Sequence, residues 1–148
     1  MIAYEWRGPF GSREVGALHG EAFGGPGGSG GLGDQGGAGD RGAVPRDWRA
    51  QVEQHSLGWV CAREDGQLAG FVNIAWDGGV HAFLLDTLVT ARVRRRGVGT
   101  KLVTVASDGA RAAGCEWLHA DFEDPLRTFY FDSCGFSPAD AGLIALKG

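Results

Sequence analysis

The part of this chain best suited to chemistry is a short run of arginines and glycines. Four arginines and two glycines fall within the nine residues from Arg92 to Thr100. The spacing of Val98 and Leu102 predicts a helix that opens at Gly99, where backbone N–H groups lack partners and the helix macrodipole adds positive potential. Glycine lets an oxygen atom approach the backbone, and guanidinium groups supply charge-assisted hydrogen bonds. The run therefore predicts a binding site for an anion such as a diphosphate.

Two other interpretations of this run stay open at this point. The pattern R-x-x-G-x-G is short enough to occur in a solvated turn, in which the glycines only bend the chain. The second interpretation is a nucleotide-binding loop, in which this turn would hold a phosphate. That interpretation is disfavoured, because the chain has no G-x-x-x-x-G-K-[ST] motif and the turn follows a predicted antiparallel strand run.

The elements that position this run are predicted to alternate between strands and helices. Alternating apolar residues predict strands at 2–6, 59–62, 68–74, 81–90 and 116–122, with two final strands at Phe136 and 143–146. Helical spacing and capping residues predict helices at 12–23, from near Pro45, from Gly99 to Gly114 and at 125–133. Two hairpin turns, at 64–66 and 77–79, make three strands antiparallel in series, and the crossover after Thr90 predicts one parallel pair. The expected fold class is α/β, with a mixed, mostly antiparallel twisted sheet flanked by helices.

Length and composition favour a single folded domain. The chain has 148 residues, of which 43% are hydrophobic and 22% charged, and this is ordinary usage for about one globular domain. Glycine is the exception, because 11 of the 27 glycines lie between Gly24 and Gly42. Few apolar side chains in that insert can offset the entropy cost of ordering it, so a flexible loop is predicted at 24–42. We expect residues 1–148 to form one domain that carries this insert.

Charge and cysteine content disfavour several classes of protein. A net charge of −4, from 14 basic and 18 acidic residues, disfavours nucleic acid and anionic membranes as partners. No apolar run resembles a secretion signal or a membrane span. Cys61, Cys115 and Cys134 are widely spaced and the four histidines lack metal-ligand spacing, so neither a disulfide framework nor a metal site is expected. We expect a cytoplasmic location.

The run at 89–102 resembles motif A of the GNAT superfamily of acetyl-CoA-dependent N-acetyltransferases. The family signature is Q/R-x-x-G-x-G/A after a valine at the end of the fourth strand. These positions are filled here by Val89, Arg94, Gly97 and Gly99. A second family signature, an asparagine followed by an aromatic residue and then Gly-Phe, keeps its spacing from Asp124 to Phe136. The predicted order of elements also matches, so the resemblance covers nearly the whole chain and implies the GNAT fold.

The resemblance implies acetyl-CoA as co-substrate, with no metal. It assigns cofactor binding to Leu88, Val89, Thr90, Arg94, Arg95, Arg96, Gly97, Val98, Gly99, Thr100, Asp124 and Phe131. A backbone N–H near Leu88 or Val89 would meet the thioester oxygen as negative charge develops on it. Asp124 stands where the family has the asparagine that contacts the CoA arm, so a carboxylate would make that contact.

The family's tyrosine, which lies beside the CoA sulfur and protonates the leaving thiolate, falls at Phe131. Phe131 has no proton to give. Tyr130 is one residue out of phase, about 100 degrees around a helix, and substitutes for it only if the start of that helix is distorted. A core or surface aromatic is the other interpretation of Tyr130. Water could also protonate the thiolate, which is a tolerable leaving group near neutral pH.

The mechanism that the resemblance implies is direct attack of an amine on the thioester, without an acyl-enzyme. An ammonium has no lone pair, so a general base must accept its proton. Asp86 is the first candidate, because it lies three residues before Val89, where some diamine-type family members place an acid that faces the amine. A strand-edge charge or a structural partner for an arginine is the alternative role for Asp86. Glu123 and His119 are weaker candidates for the base, and His81 is a candidate for lining the acceptor cleft.

The predicted function is acetyl transfer from acetyl-CoA to a primary amine of a small cationic molecule, because acids near the site favour a cation. These acids are Asp86, Asp121, Glu123 and Asp124. The alternative is a non-catalytic CoA-binding or sensor module of the same fold, which the phenylalanine at 131 supports. In the family the connection between the first two helices borders the acceptor site, so the insert at 24–42 is either a lid or a passive insertion. The sequence leaves open the identity of the acceptor and whether the chain forms a homodimer.

Overall fold

The computed structural model describes residues 1–23 and 46–147, which build a five-stranded sheet with helices on both faces. In chain order the elements are β1 (Ile2–Trp6), α1 (Ser12–Phe23), α2 (Trp48–His55), β2 (Ser56–Glu64), β3 (Gln67–Trp76), β4 (His81–Val89), α3 (Val98–Ala112) and β5 (Trp117–Ala120). Single 3₁₀ turns lie at Ala91–Val93 and Asp124–Leu126, and a π-helix spans Thr128–Ser133. The insert predicted at 24–42 lies outside the described residues, as does Pro45.

The strands lie side by side in chain order, because tight turns join the central ones. Asp65, Gly66 and Gly78 have φ of 51°, 80° and 83°, the left-handed values that short hairpin turns use. β1 to β4 pair antiparallel, and β5 pairs in parallel with β4 after the crossover through α3. The predicted mixed, mostly antiparallel sheet is confirmed.

Helices cover the two faces of the sheet over separate cores. On one face, α1 and α2 bury side chains such as Val15 and Trp48 against Phe71 of β3. On the other face, α3 packs Leu102 and its apolar neighbours against Ile74 and the rest of the sheet. Each large side chain buried in this way stabilises the fold by about 1.5–3 kcal/mol relative to leaving it exposed.

The helices begin close to their predicted starts, and capping decides the differences. The Asp47 carboxylate accepts a hydrogen bond from Ala50 N–H at 3.1 Å, so α2 begins at Trp48 rather than near Pro45. α3 begins at Val98, one residue before the predicted start at Gly99. Its end agrees with the expected glycine cap, since α3 stops at Ala112 and Gly114 has φ of 94°.

The C-terminal region differs from the sequence prediction. Neither the strand expected at Phe136 nor the one expected at 143–146 forms, and residues 134–147 contain no strand. Leu143, Ile144 and Leu146 are 63%, 86% and 95% exposed. An apolar run becomes a strand only where a neighbouring strand pairs its backbone, and periodicity does not report that neighbour.

The helix predicted at 125–133 is also irregular. It consists of the 3₁₀ turn at Asp124–Leu126 followed by the π-helix at Thr128–Ser133. Cys134 N–H donates to Phe129 O at 3.0 Å, which is the i to i+5 bond of a π-turn. An α-helical pattern in the sequence therefore becomes a wider turn here.

The Trp6 ring fills space that two glycines leave open. A Cβ added at Gly58 would lie 2.2 Å from this ring, and one added at Gly109 would lie 2.5 Å from it. Gly109 lies inside α3, where glycine costs about 1 kcal/mol relative to alanine. Packing against Trp6 therefore explains a residue that helix propensity disfavours.

We expect Gly109→Ala to lower the free energy of unfolding by about 1–3 kcal/mol, because the tryptophan ring has to move. Gly20 in α1 has no atom within 4 Å of an added Cβ, so Gly20→Ala is the matched control. That control is expected to raise stability by about 0.5–1 kcal/mol. Urea denaturation measures both changes, and a stabilising Gly109→Ala would contradict the packing described for Trp6.

Candidate cofactor and acceptor site

β4 and β5 separate before β4 ends, and this opens a cleft in the sheet. The two strands pair only through His81–Leu84 and Trp117–Ala120, whereas β4 continues to Val89. Thr90 N–H donates to Ala69 O at 2.9 Å, on the β3 side. Since N–H groups point in alternate directions along a strand, Leu88 N–H also points to β3 and Val89 N–H points into the cleft. Of the two predicted backbone donors, Val89 is the one directed there.

A β-bulge in β4 lies beside the cleft. Phe71 pairs with Leu88 and Asn73 with Leu85, so β4 carries one more residue than β3 across this interval. Asp86 occupies the bulge with φ of 52°, a left-handed conformation that a non-glycine residue keeps only where its surroundings hold it. The extra residue reverses the side-chain alternation of β4 between Leu84 and Leu88.

This reversal sends the two bulge side chains to opposite faces of the sheet. Asp86 faces the α2 side, where its Oδ2 atom lies 3.7 Å from Arg46 Nη2 and its side chain is 11% exposed. Thr87 faces the α3 side, where its Oγ1 atom lies 3.4 Å from the Tyr130 hydroxyl. The Asp86 carboxylate and the Tyr130 phenol thus lie at neighbouring residues of one strand, on the two faces of the sheet. The arginine partner considered for Asp86 is present.

Tyr130 lies inside the fold rather than on its surface, and it is 7% exposed. Its ring stacks on Phe122 with centroids 4.4 Å apart. Burial raises the pKa of the Tyr130 hydroxyl above its ordinary value of 10.0, which keeps the group protonated. The segment that carries Tyr130 is a π-helix rather than a regular α-helix, and the Tyr130 side chain belongs to the buried core under α3, as the core-aromatic interpretation expected. Phe131 itself packs edge-on against Phe122 with centroids 5.2 Å apart.

The start of α3 has the features of an anion site. Gly97 has φ of 76°, an added Cβ there would meet nothing within 4 Å, and no side chain caps the helix. The first bond closing the helix runs from Lys101 N–H to Gly97 O at 3.1 Å. The preceding N–H groups, those of Val98 to Thr100, have no acceptor within the helix. The turn therefore fits the diphosphate of the cofactor that the resemblance implies.

The four arginines of this turn have different surroundings. Arg92 and Arg96 both pair with Glu64, at 2.8 Å and 2.9 Å. Arg94 donates its Nε–H to Val89 O at 3.2 Å. Arg95 is exposed, has φ of 65°, and forms no ion pair within residues 1–23 and 46–147. Glu64 thus fixes two guanidinium groups beside the turn, and Arg95 keeps its charge available.

Two other predicted cofactor residues are held by contacts within the protein. Thr90 Oγ1 donates to the Glu21 carboxylate at 3.0 Å, and Ala91 N–H donates to it at 2.6 Å. A Cβ added at Gly99 would lie 3.1 Å from the Phe129 ring. The missing side chain of Gly99 thus makes room for the Phe129 ring, and anion binding by its backbone N–H stays a prediction.

The remaining candidates lie at the edges of the site. Asp124 is exposed and begins a 3₁₀ turn, with half-buried Glu123 before it. Burial raises the pKa of the Cys134 thiol, against the opposing effect of its hydrogen bond with Thr100, so this cysteine is unsuited to act as a thiolate nucleophile. Among the described residues no three potential ligands are grouped around a point where a metal could bind. In the same part of the chain, no helix has the length and apolar character needed to cross a membrane.

Three residues that build this site carry no sequence signal. Glu21, Glu64 and Thr87 act on residues far away in the chain, with separations of 70 for Ala91, 28 for Arg92 and 43 for Tyr130. No local spacing marks such a pair. An Arg-rich turn does signal that carboxylates are needed nearby, but it does not identify them.

Comparison with known proteins supports the resemblance noted from the sequence. The family model described as "Acetyltransferase (GNAT) family" matches residues 34–136. A mycothiol acetyltransferase of Nocardia farcinica is 37% identical over 60 residues, which make up 40% of this chain and 20% of that protein. The chain therefore spans about a fifth of the length of that relative.

Solved structures resemble the whole fold at low sequence identity. A GNAT family acetyltransferase of Streptococcus pneumoniae has a TM-score of 0.71 at 17% identity, covering 99% of this chain and 98% of the other. The aminoglycoside N-acetyltransferase AAC(6')-Iy, in complex with CoA, has a TM-score of 0.68 at 15% identity, covering 99% and 95%. These likenesses show a shared GNAT fold.

We expect Arg95→Glu to weaken acetyl-CoA binding about 10-fold, the effect of losing one charge-assisted hydrogen bond worth about 1.4 kcal/mol. Isothermal titration calorimetry measures the dissociation constant at two salt concentrations. Arg111→Glu is the matched control, because Arg111 lies in the last turn of α3, far from its start. Unchanged affinity for Arg95→Glu would contradict the diphosphate site at this turn.

Proposed function

The chain belongs to the GNAT acetyltransferase family, and on that premise we propose that it transfers the acetyl group of acetyl-CoA to a primary amine of a small cationic molecule. The observation that carries the proposal is the bulge of β4. It holds Asp86 on one face of the sheet and Thr87, in contact with Tyr130, on the other, where β4 runs past the end of β5. A proton acceptor and a proton donor thus flank one cleft, which is what transfer from a thioester to an amine requires.

Acetyl-CoA, when bound, supplies the activated acyl group. The N–H groups of Val98, Gly99 and Thr100 would hold its diphosphate, because they are unpaired within α3 and Gly97 leaves the approach open. Arg94 to Arg96 would offset the diphosphate charge. Val89 N–H would donate to the thioester oxygen, at no cost in side-chain ordering.

The chemical step is direct attack by the amine nitrogen. Asp86 accepts the proton of the ammonium, directly or through a water molecule, which frees the nitrogen lone pair. A bond forms from nitrogen to the acetyl carbon, and the bond from that carbon to sulfur breaks. The sulfur leaves with the electron pair and receives a proton from the Tyr130 hydroxyl. The attacking nitrogen, which is positively charged once its bond to carbon forms, releases its second proton to water, and the Tyr130 phenolate recovers a proton from water. Arg46 acts as a positioning residue, since its guanidinium lies beside Asp86 and over the Trp48 ring.

A cationic acceptor follows from the charges around the cleft. Asp86 directly precedes Thr87, the residue that the Tyr130 hydroxyl contacts. Asp121 lies near Tyr130 itself, and its negative charge contributes to the raised pKa of the Tyr130 hydroxyl. Carboxylates in a partly enclosed cleft concentrate cations and oppose anions. A small-molecule acceptor also agrees with the name of the aminoglycoside N-acetyltransferase that shares this fold.

The buried Tyr130 favours catalysis over the sensor alternative, which depended on Phe131 lacking a proton. Tyr130 supplies the hydroxyl that Phe131 lacks, and this hydroxyl contacts Thr87 beside the bulge. Binding of acetyl-CoA without release of free CoA thiol for any amine would favour the sensor.

We expect Asp86→Asn to lower kcat/KM for the amine at least 100-fold at pH 7, because the amide cannot accept the ammonium proton. The loss shrinks as pH rises toward the pKa of the amine, where the substrate arrives deprotonated. Release of CoA thiol measures the rate. Asp132→Asn serves as the control, since Asp132 is exposed; full activity of Asp86→Asn across this pH range would refute the assigned base.

We expect Tyr130→Phe to lower kcat by about 10-fold, a modest loss because a thiolate leaves readily. Burial raises the pKa of Tyr130 above its ordinary value of 10.0, so the hydroxyl stays protonated through pH 9, and the alkaline side of the wild-type pH–rate profile should stay flat to that pH. Thr128→Ser on the same helix is the control. A wild-type rate that falls between neutral pH and pH 9 through loss of an acid would contradict this role.

A further inference from the structure

Three aromatic rings form a row on the exposed part of the sheet, and we call this row the ring surface: His81, Phe83 and His119. Phe83 lies opposite His119 in the pairing of β4 with β5, and their rings stack with centroids 4.8 Å apart and planes inclined by 19°. His81 Nδ1 lies 2.7 Å from His119 Nε2. These contacts hold the three rings in a defined arrangement before any ligand binds.

The ring surface lies on the same face of the sheet as Asp86. Ala82 and Leu84 belong to the core under α3, so their alternating neighbours on β4 point to the opposite face. Asp86 meets Arg46 on that opposite face. Phe83 precedes Asp86 by three residues, a distance of at most about 10 Å along β4.

The order of features along β4 sets the direction in which a bound acceptor extends from Asp86. The ring surface lies at the start of β4, the bulge at Asp86 follows it, and the arginine- and glycine-rich turn before α3 comes after the strand ends. An amine nitrogen at Asp86 that faces the thioester therefore has the rest of its molecule extending toward Phe83, away from the cofactor turn. The distance of about 10 Å between Phe83 and Asp86 is longer than a small alkylamine, and it suits an amine attached to a ring.

The exposure of these rings points to a ligand rather than to the core. Phe83 is 37% exposed, and Trp117, which pairs opposite His81, is 63% exposed. Exposed aromatic rings on one face are typical of a ligand-binding surface. Ala75 pairs opposite Phe83 on β3, and its small side chain leaves the ring face accessible from that side.

The chemistry of the surface selects the kind of ring. An aromatic face packs against the C–H face of a saturated ring. Each imidazole also has a second nitrogen that forms no hydrogen bond within the described part of the chain, and such a nitrogen donates to or accepts from a hydroxyl group. Asp77 contacts the backbone N–H of His81 at 3.2 Å, so the far end of the surface is acidic, as is the end at Asp86. The complementary molecule is a cationic, hydroxylated ring.

We propose that the ring surface binds the sugar ring of an amine-bearing saccharide, and that Phe83 and His119 determine acceptor specificity. This inference rests on the acetyl transfer proposed above and names its substrate class. Phe83 and His119 contact the ring of the acceptor and take no part in proton transfer. Substituting Phe83 or His119 should therefore raise KM for the saccharide amine and leave kcat and the KM for acetyl-CoA nearly unchanged.

The test compares three primary amines in the thiol-release assay. Methyl 6-amino-6-deoxyglucoside has a ring with hydroxyls, 1-amino-1-deoxyglucitol has hydroxyls without a ring, and cyclohexylmethylamine has a ring without hydroxyls. We expect the glycoside to have the highest kcat/KM. Phe83→Ala should raise its KM about 3- to 10-fold, as for loss of one ring-stacking contact, and Phe83→Tyr should restore it. Leu143→Ala is the control for removing an exposed apolar side chain.

The outcomes separate this inference from the function on which it rests. Equal kcat/KM for the three amines overturns the saccharide inference while acetyl transfer stands, and so does a Phe83→Ala variant with an unchanged preference. Acetyl-CoA binding without turnover of any amine overturns the proposed function and the inference together. Circular dichroism of each variant shows whether the fold is kept.

Discussion

The site depends on one extra residue in β4. A regular strand would point Asp86 and the residues after it to fixed faces, and its backbone would pair along its whole length. The bulge instead holds Asp86 at φ of 52° and reverses the alternation. This strain is supported by the Arg46 contact on one side and the Tyr130 contact on the other. The same geometry that costs backbone energy therefore places a carboxylate on one face of the sheet and a threonine in contact with a phenol on the other.

At the turn after β4, two glutamates hold arginine side chains and the backbone in place through ion pairs and hydrogen bonds. Arginines crowded into a turn repel one another, and Glu64 relieves this repulsion by pairing with both Arg92 and Arg96. Glu21 fixes the chain just before the turn through Thr90 and Ala91. Uncapped N–H groups at the start of α3 remain directed outward, so the turn keeps a net attraction for anions.

The helix predicted near the C-terminus forms as a π-helix that carries three adjacent aromatic side chains, Phe129, Tyr130 and Phe131. The π-helix at Thr128–Ser133 moves Tyr130 from a position out of phase to the interior, where Phe122 stacks on its ring. Phe129 then fills the space left by Gly99. The aromatic residues 129–131 thus divide between packing against Gly99 of α3, contacting Thr87 of β4 and packing against Phe122.

The sequence by itself determined what local patterns can carry: the strand and helix order through residue 120, the hairpins, the arginine- and glycine-rich turn before α3 and the family. Alternation, helical spacing and the R-x-x-G-x-G pattern are properties of neighbouring residues, so they are visible without a fold. Only the tertiary structure decided the bulge at Asp86, the inward position of Tyr130, the roles of Glu21 and Glu64, and the absence of strands at Phe136 and 143–146. Each of these is set by a partner distant in the chain, and a partner of that kind leaves no periodic trace.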